Sequence, residues 1–68
     1  MADQSKVLRV IEILMKYGLD NETAEKVKQA GAQLDEQQFY DYVTGLIWNY
    51  KIPVIPRDLA QIKRILTI

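Results

Sequence analysis

The chain of 68 residues carries nine basic and nine acidic side chains, and 49% of its residues are hydrophobic. This composition predicts one folded domain over residues 1–68, and the zero net charge argues against a general electrostatic grip on nucleic acid. Because cysteine and histidine are absent, disulfides, thiolate metal sites and the commonest catalytic base are excluded, and we expect no cofactor and no metal. No apolar run approaches the roughly 18 residues of a membrane span, so we expect a cytoplasmic protein without a membrane partner.

The first predicted helix spans residues 5–17 and is followed by Gly18, a residue that commonly ends helices in a left-handed conformation. Leu19 is predicted to pack against the helix end. Most of this helix is apolar, which is more than one buried face requires. We therefore predict that its additional apolar surface binds a second copy of the chain, with a dimer interface formed by Val7, Val10, Ile11 and Leu14. The alternative is that this helix is the central helix of the core.

The second helix is predicted at residues 21–30, where Asp20 is a favourable N-cap and Gly31 is expected to end the helix. The segment Leu14-Met15-Lys16-Tyr17-Gly18-Leu19, with Ala24 five residues later, resembles the first loop and second helix of ubiquitin-associated domains. The resemblance covers residues 10–35; Lys28 stands where that pattern has leucine, and the third helix is longer. It implies a compact three-helix packing to which a fourth helix is added.

The third helix, predicted at residues 36–50, has the clearest start signal in the chain. Asp35 and Gln38 have the spacing of a capping box, and Leu34 and Phe39 have that of a hydrophobic staple. Gly45 in its interior weakens the helix by up to about 1 kcal/mol relative to alanine. This glycine either permits the close approach of another helix or is merely tolerated.

Aromatic side chains are concentrated on the third helix. Tyr40 and Trp48 lie two turns apart on one side of the helix, beside its apolar core stripe, and Tyr50 lies at its end. Tyrosine and tryptophan are frequent at binding hot spots because each buries a large area with few rotatable bonds. We predict that these three residues contact a partner. The alternative for Trp48 is a place in the core, which is common for tryptophan in small helical domains.

The last helix is predicted at residues 56–66, after an extended connector, and Pro56 suits its first turn. The third helix with its cap contains three acids and no base, whereas the chain from Lys51 onward contains four bases and one acid. One interpretation is that helices 3 and 4 face each other, within one chain or across a symmetric dimer. The other is a basic C-terminal face for an acidic partner or a phosphate backbone, in which Arg57 and Arg64 belong to the contact surface.

The inventory of reactive groups argues against catalysis, because Ser5 is the only serine and no histidine or cysteine could activate a nucleophile. The sequence therefore predicts an all-α protein, a compact bundle of about four short helices with a homodimer as one way to complete its core. Its predicted function is that of a small non-catalytic regulator, adaptor or inhibitor that binds a larger protein. The alternatives are a small dimeric DNA-binding transcriptional regulator, whose binding would weaken steeply with salt, and a structural subunit of an assembly.

Overall fold

Four helices account for most of the chain in the computed structural model, which describes residues 1–67. They are α1 (Gln4–Met15), α2 (Asn21–Gln33), α3 (Glu36–Asn49) and α4 (Pro56–Ile65). Residues 1–67 contain no strand, and the radius of gyration of 10.5 Å is close to the roughly 11 Å expected of a compact chain of this length. The predicted all-α bundle is confirmed. Over the same residues, no helix has both the length and the apolar character needed to cross a membrane.

Helix α1 is the central helix of the bundle. It packs against α2 on one side and α4 on another, and α2 in turn packs against α3. Its side chains Val7, Val10 and Leu14 have no exposed surface and lie in one cluster with Phe39 of α3 and Ile62 of α4. The assignment of Val7, Val10 and Leu14 to a dimer interface is therefore corrected, because side chains enclosed by their own protomer cannot contact a second copy in this conformation.

The end of α2 differs from the prediction that Gly31 stops the helix. The helix continues to Gln33, and Leu34 is the first residue with extended backbone angles. A Cβ atom at Gly31 would lie 2.5 Å from Cγ2 of Val7, a distance far inside van der Waals contact. This glycine therefore permits the close approach of α1 and α2 and is not a helix stop.

Aspartate N-caps begin the first three helices. The capping box of α3 is confirmed, since the Asp35 carboxylate accepts from the Gln38 N–H at 2.8 Å and the Gln38 side chain accepts from the Asp35 N–H at 3.1 Å. Asp3, which the sequence analysis did not identify, caps α1, and hydrogen bonds from the Ser5 hydroxyl and N–H lower the pKa of its carboxyl. Hydrogen bonds from Thr23 likewise lower the pKa of Asp20 at the start of α2.

Candidate functional site

Trp48 has the most exposed aromatic side chain on α3, with 84% of its surface accessible to solvent. It borders a surface groove of about 590 Å³ between the end of α3, the first turn of α4 and residues 51–55, the connector that joins these helices. We refer to this feature as the Trp48 groove; it is lined by Ile47, Trp48, Lys51, Ile52, Val54 and Leu59. Five of these six side chains are apolar, so the groove offers a solvent-accessible hydrophobic surface. The interpretation of Trp48 as a core residue is wrong.

The groove exists because α3 and α4 pack against different neighbours. Helix α3 packs against α2, and α4 packs against α1, while α3 and α4 do not form an extensive helix pair of their own. The connector spans the gap between them, and its side chains Ile52 and Val54 are half-buried against the core. The apolar faces of these segments therefore remain partly open to solvent.

The turn at the end of α3 shapes one wall of the groove. The N–H of Ile52 donates to the carbonyl of Ile47 at 3.0 Å, and the N–H of Lys51 donates to the carbonyl of Trp48 at 3.3 Å. These two bonds are the pattern of a Schellman motif, which usually places glycine at the left-handed position. Here Lys51 occupies that position with φ of 53°, at a conformational cost of about 1 kcal/mol. The motif brings Ile47 beside Ile52 in the groove wall.

The other end of the connector is fixed by Tyr17, at the end of α1. The Tyr17 hydroxyl donates to the Asp58 carboxylate and accepts from the Ile55 N–H at 3.3 Å. The Lys16 ammonium lies 3.6 Å from the same carboxylate. Because Asp58 accepts a hydrogen bond from the protonated hydroxyl, the pKa of Tyr17 is raised above its ordinary value. Both ends of the connector are thus tied to helices, and the groove is formed before any partner arrives.

The structure separates the aromatic residues that the sequence grouped together. Tyr40 is half-buried and packs against the core, and Tyr50 is 58% exposed but borders other depressions, beside Tyr17 and beside Tyr42. Neither residue lines the Trp48 groove. Trp48 and Tyr50 are two positions apart on a helix, so their side chains point to different sides.

The exposed apolar surface of α1 also differs from the predicted one. It is formed by Leu8, which is 47% exposed, and Met15, which is 42% exposed, with the half-buried Ile11 between them. These residues follow one another at i, i+3 and i+7 and therefore share one face of the helix. Of the four residues predicted to form a dimer interface, Ile11 is the one that reaches this surface.

Basic side chains collect along the solvent side of α1 and α4. The two helices run antiparallel, as shown by the bond of 3.1 Å from the Lys6 ammonium to the Thr67 hydroxyl at one end and by the Lys16–Asp58 pair at the other. Arg57 and Arg64 are exposed and share the outward face of α4. Counted with their N-caps and with the C-cap Lys16 of α1, helices α1 and α4 together carry six bases and three acids. Counted with their N-caps, α2 and α3 together carry two bases and six acids.

No protein-family model, no curated protein and no solved structure matches this chain. The likeness of residues 10–35 to ubiquitin-associated domains is therefore a local sequence resemblance. Within residues 1–67, acidic side chains do not gather in groups of three or more that could hold a metal ion. The Trp48 groove is the candidate contact surface, since it combines an exposed tryptophan with an apolar lining.

Proposed function

We propose that this protein is a small non-catalytic regulator, adaptor or inhibitor that binds a larger protein, with the Trp48 groove at the centre of the contact surface. The observation that carries the proposal is an 84% exposed tryptophan beside an apolar groove. An indole in that position contributes little to the core, so fold stability does not account for it. Tryptophan is among the residues most enriched at binding hot spots.

The local geometry supports binding without a large rearrangement. The Schellman turn holds one end of the connector and the Tyr17 hydroxyl holds the other. A partner side chain that entered the groove would pack against the indole and would displace water from Ile47 and Leu59. A preformed groove binds more tightly than a flexible one because less conformational entropy is lost on binding. Arg57 and Arg64 lie on the outer face of α4, where they could contact the rim of the same partner.

Substitution of Trp48 by alanine tests this proposal. The exposed indole makes few internal contacts, so the free energy of unfolding should change by no more than about 0.5 kcal/mol. Partner binding should weaken by about 2 kcal/mol or more, which is roughly 30-fold in Kd. Proteins captured from a lysate by wild type and by Trp48→Ala are compared after nuclease treatment, and Kd is then measured by calorimetry with the purified partner.

Leu8→Ala is the matched control, because it removes an exposed apolar side chain from α1, away from the groove. A partner lost with Trp48→Ala and retained with Leu8→Ala supports the proposal. A partner that binds both variants as tightly as wild type would refute the assignment of Trp48 to the contact surface. The thermal unfolding of each variant, followed by circular dichroism, shows whether any loss of binding reflects unfolding.

A second candidate function is contact with nucleic acid through the basic solvent side of α1 and α4. The observation in its favour is the alignment of Arg9, Lys16 and Arg57 around one surface depression of about 270 Å³. Glu12 and Asp58 border the same depression and would oppose a phosphate backbone. Nucleic-acid binding would weaken steeply with salt concentration in proportion to the phosphates contacted, whereas binding through the Trp48 groove would depend on salt far less.

The homodimer and the cytoplasmic location stay predictions. In the conformation described here, a second copy of the chain would meet α1 through Leu8, Ile11 and Met15 and not through the buried face of the helix. Tyr40 and Tyr50 would contact a partner of the Trp48 groove only if that partner also extended around α3.

A further inference from the structure

We infer that the partner segment that fills the Trp48 groove is an acidic amphipathic helix of a protein. This inference rests on the proposed function and gives the chemistry of the partner. Three features of the groove lead to it: the hydrogen bonding of the connector, the size and lining of the groove, and the charges at its rim.

The connector has no free backbone donors with which a partner strand could pair. Each of its N–H groups already has an acceptor within the protein, and Pro53 and Pro56 have no N–H. The occupied donors are those of Lys51, Ile52, Val54 and Ile55, which bond to Trp48, Ile47, Ile52 and Tyr17 respectively. Addition of a strand to this edge would require free donors, so the groove recognises side chains.

The size of the groove fits several side chains of one helix face. Surface sites of roughly 300–1000 Å³ hold a ligand the size of a drug molecule, and the Trp48 groove has about 590 Å³. An amphipathic helix presents apolar side chains at i, i+3, i+4 and i+7, which is the arrangement that an open apolar groove between helices receives. Its own backbone hydrogen bonds are already formed, so it needs no donors from the connector.

The charges at the rim of the groove are basic. Lys51 is the charged residue among those that line the groove. Lys63 is exposed and lies one turn beyond Leu59 on the same side of α4. The nearest acid of α4, Asp58, is directed to the other side of the helix, where it is held by Tyr17 and Lys16. A partner with carboxylates flanking its apolar stripe would complement this rim.

The backbone conformation of Lys51 also indicates that a basic side chain is needed at the edge of the groove. Glycine would occupy its left-handed position with less strain, yet the position carries a basic side chain at the edge of the groove. Strain at an exposed site is a pointer to function when the structure shows it directly. A nucleic acid is a poorer match than an acidic helix, because five of the six lining residues are apolar and the net charge of the chain is zero.

The experiment is a selection from a random-sequence peptide library displayed on phage. Peptides that bind the wild-type protein are passed over the Trp48→Ala variant, and those retained only by wild type are sequenced. We expect apolar residues at helical spacing with aspartate or glutamate beside them, and helix formation on binding by circular dichroism. Kd for selected peptides should rise about two- to five-fold with Lys51→Gly, the effect of losing one rim charge pair.

The controls separate the two proposals. Lys51→Gly should also unfold at a higher temperature than wild type because glycine relieves the left-handed strain, so weaker binding could not be attributed to unfolding. Lys28→Ala removes an exposed base from α2 and should leave Kd unchanged. Trp48-dependent peptides that are basic or lack helical spacing, or that bind Lys51→Gly as well as wild type, would overturn the acidic helix and leave the proposed function standing. Recovery of no Trp48-dependent peptide would overturn both.

Discussion

Helices α1 and α2 approach so closely that α2 has a glycine, without a side chain, where it meets a valine of α1. Helices α3 and α4, which are neighbours in sequence, leave a groove between them. In the first pair, Gly31 faces the γ-methyl groups of Val7, and a Cβ atom there would overlap them. In the second pair, Trp48 and Leu59 border open solvent. The bundle is therefore closed around α1 and open at the end of α3.

This contrast indicates that the closed contact between α1 and α2 determines stability, whereas the open junction between α3 and α4 offers a surface for binding. Val7, which meets Gly31 at the closed contact, is completely buried in one core cluster with Val10 and Leu14. The open junction contributes apolar area that the chain does not bury for itself. Substitutions at the closed contact should therefore change the free energy of unfolding, and substitutions at the open junction should change binding.

Gly31→Ala should have the largest effect on stability. The added methyl group would overlap the stiff, buried side chain of Val7, and overpacking of this kind costs about 1–3 kcal/mol, while alanine returns up to about 1 kcal/mol of helix propensity. The clash with Val7 should outweigh the gain in helix propensity, so we expect a net loss of up to about 2 kcal/mol in the free energy of unfolding, measured by urea denaturation.

A double-mutant cycle with Val7→Ala identifies the cause. If the clash is between these two side chains, the double variant should be more stable than the sum of the single effects predicts. Strict additivity would show that Gly31 is required for another reason, and the close approach of α1 and α2 would then not depend on it.

Tyr17→Phe should have a smaller effect and should act at the open junction. It removes the hydroxyl that links α1 to Asp58 and to the Ile55 N–H, so the connector loses one of its two anchors. We expect a lower midpoint of thermal unfolding, and faster hydrogen exchange at Ile55 by NMR than in wild type. Unchanged exchange at that amide would show that the connector is held by its apolar contacts alone.

The pKa of Tyr17 adds a pH dependence to the same prediction. The pKa of Tyr17 is higher in the folded state than the pKa of an unfolded tyrosine, which is roughly 10. The hydroxyl therefore stabilises the fold below about pH 10, and this stabilisation is lost as the pH rises through the folded-state pKa. Wild type should therefore lose more stability between pH 9 and 12, roughly the range around that value, than Tyr17→Phe does. Equal losses would contradict the assigned hydrogen bond.

Gly45→Ala should have the smallest effect, with the opposite sign to that of Gly31→Ala. Both glycines lie within helices, but a Cβ atom at Gly45 would meet no other group within 4 Å. The free energy of unfolding should rise by up to about 1 kcal/mol because alanine favours the helix. Destabilisation in urea denaturation would show that α3 makes a close contact at Gly45 that the described structure does not contain.

Sequence patterns predicted the helices well because their start signals are local. The capping box at Asp35 and the N-cap at Asp20 depend on residues within four positions, and both were predicted correctly. The predicted end of α2 was wrong because the role of Gly31 is set by Val7, which lies 24 positions earlier in the chain. No local pattern distinguishes a glycine that ends a helix from one that admits a neighbouring side chain.

The buried face of α1 could not be fixed from the sequence for a similar reason. Val7 and Leu14 have the same seven-residue spacing as Leu8 and Met15, so both pairs lie along apolar stripes, and a rotation of the helix by about 100° exchanges them. The structure buries the first pair against α2 and α4 and leaves the second exposed. The Trp48 groove was missed because Lys51 stands where a glycine would have marked the turn that builds its wall.

Trp48 is the only tryptophan of the chain, and 84% of its surface is exposed to solvent in the folded protein. Its fluorescence should therefore change little when the protein unfolds, because the indole is in water in both states. Contact with an apolar partner would remove that water and shift the emission to shorter wavelength. The intrinsic fluorescence of this protein thus reports occupancy of the groove separately from folding, and a titration needs no added dye.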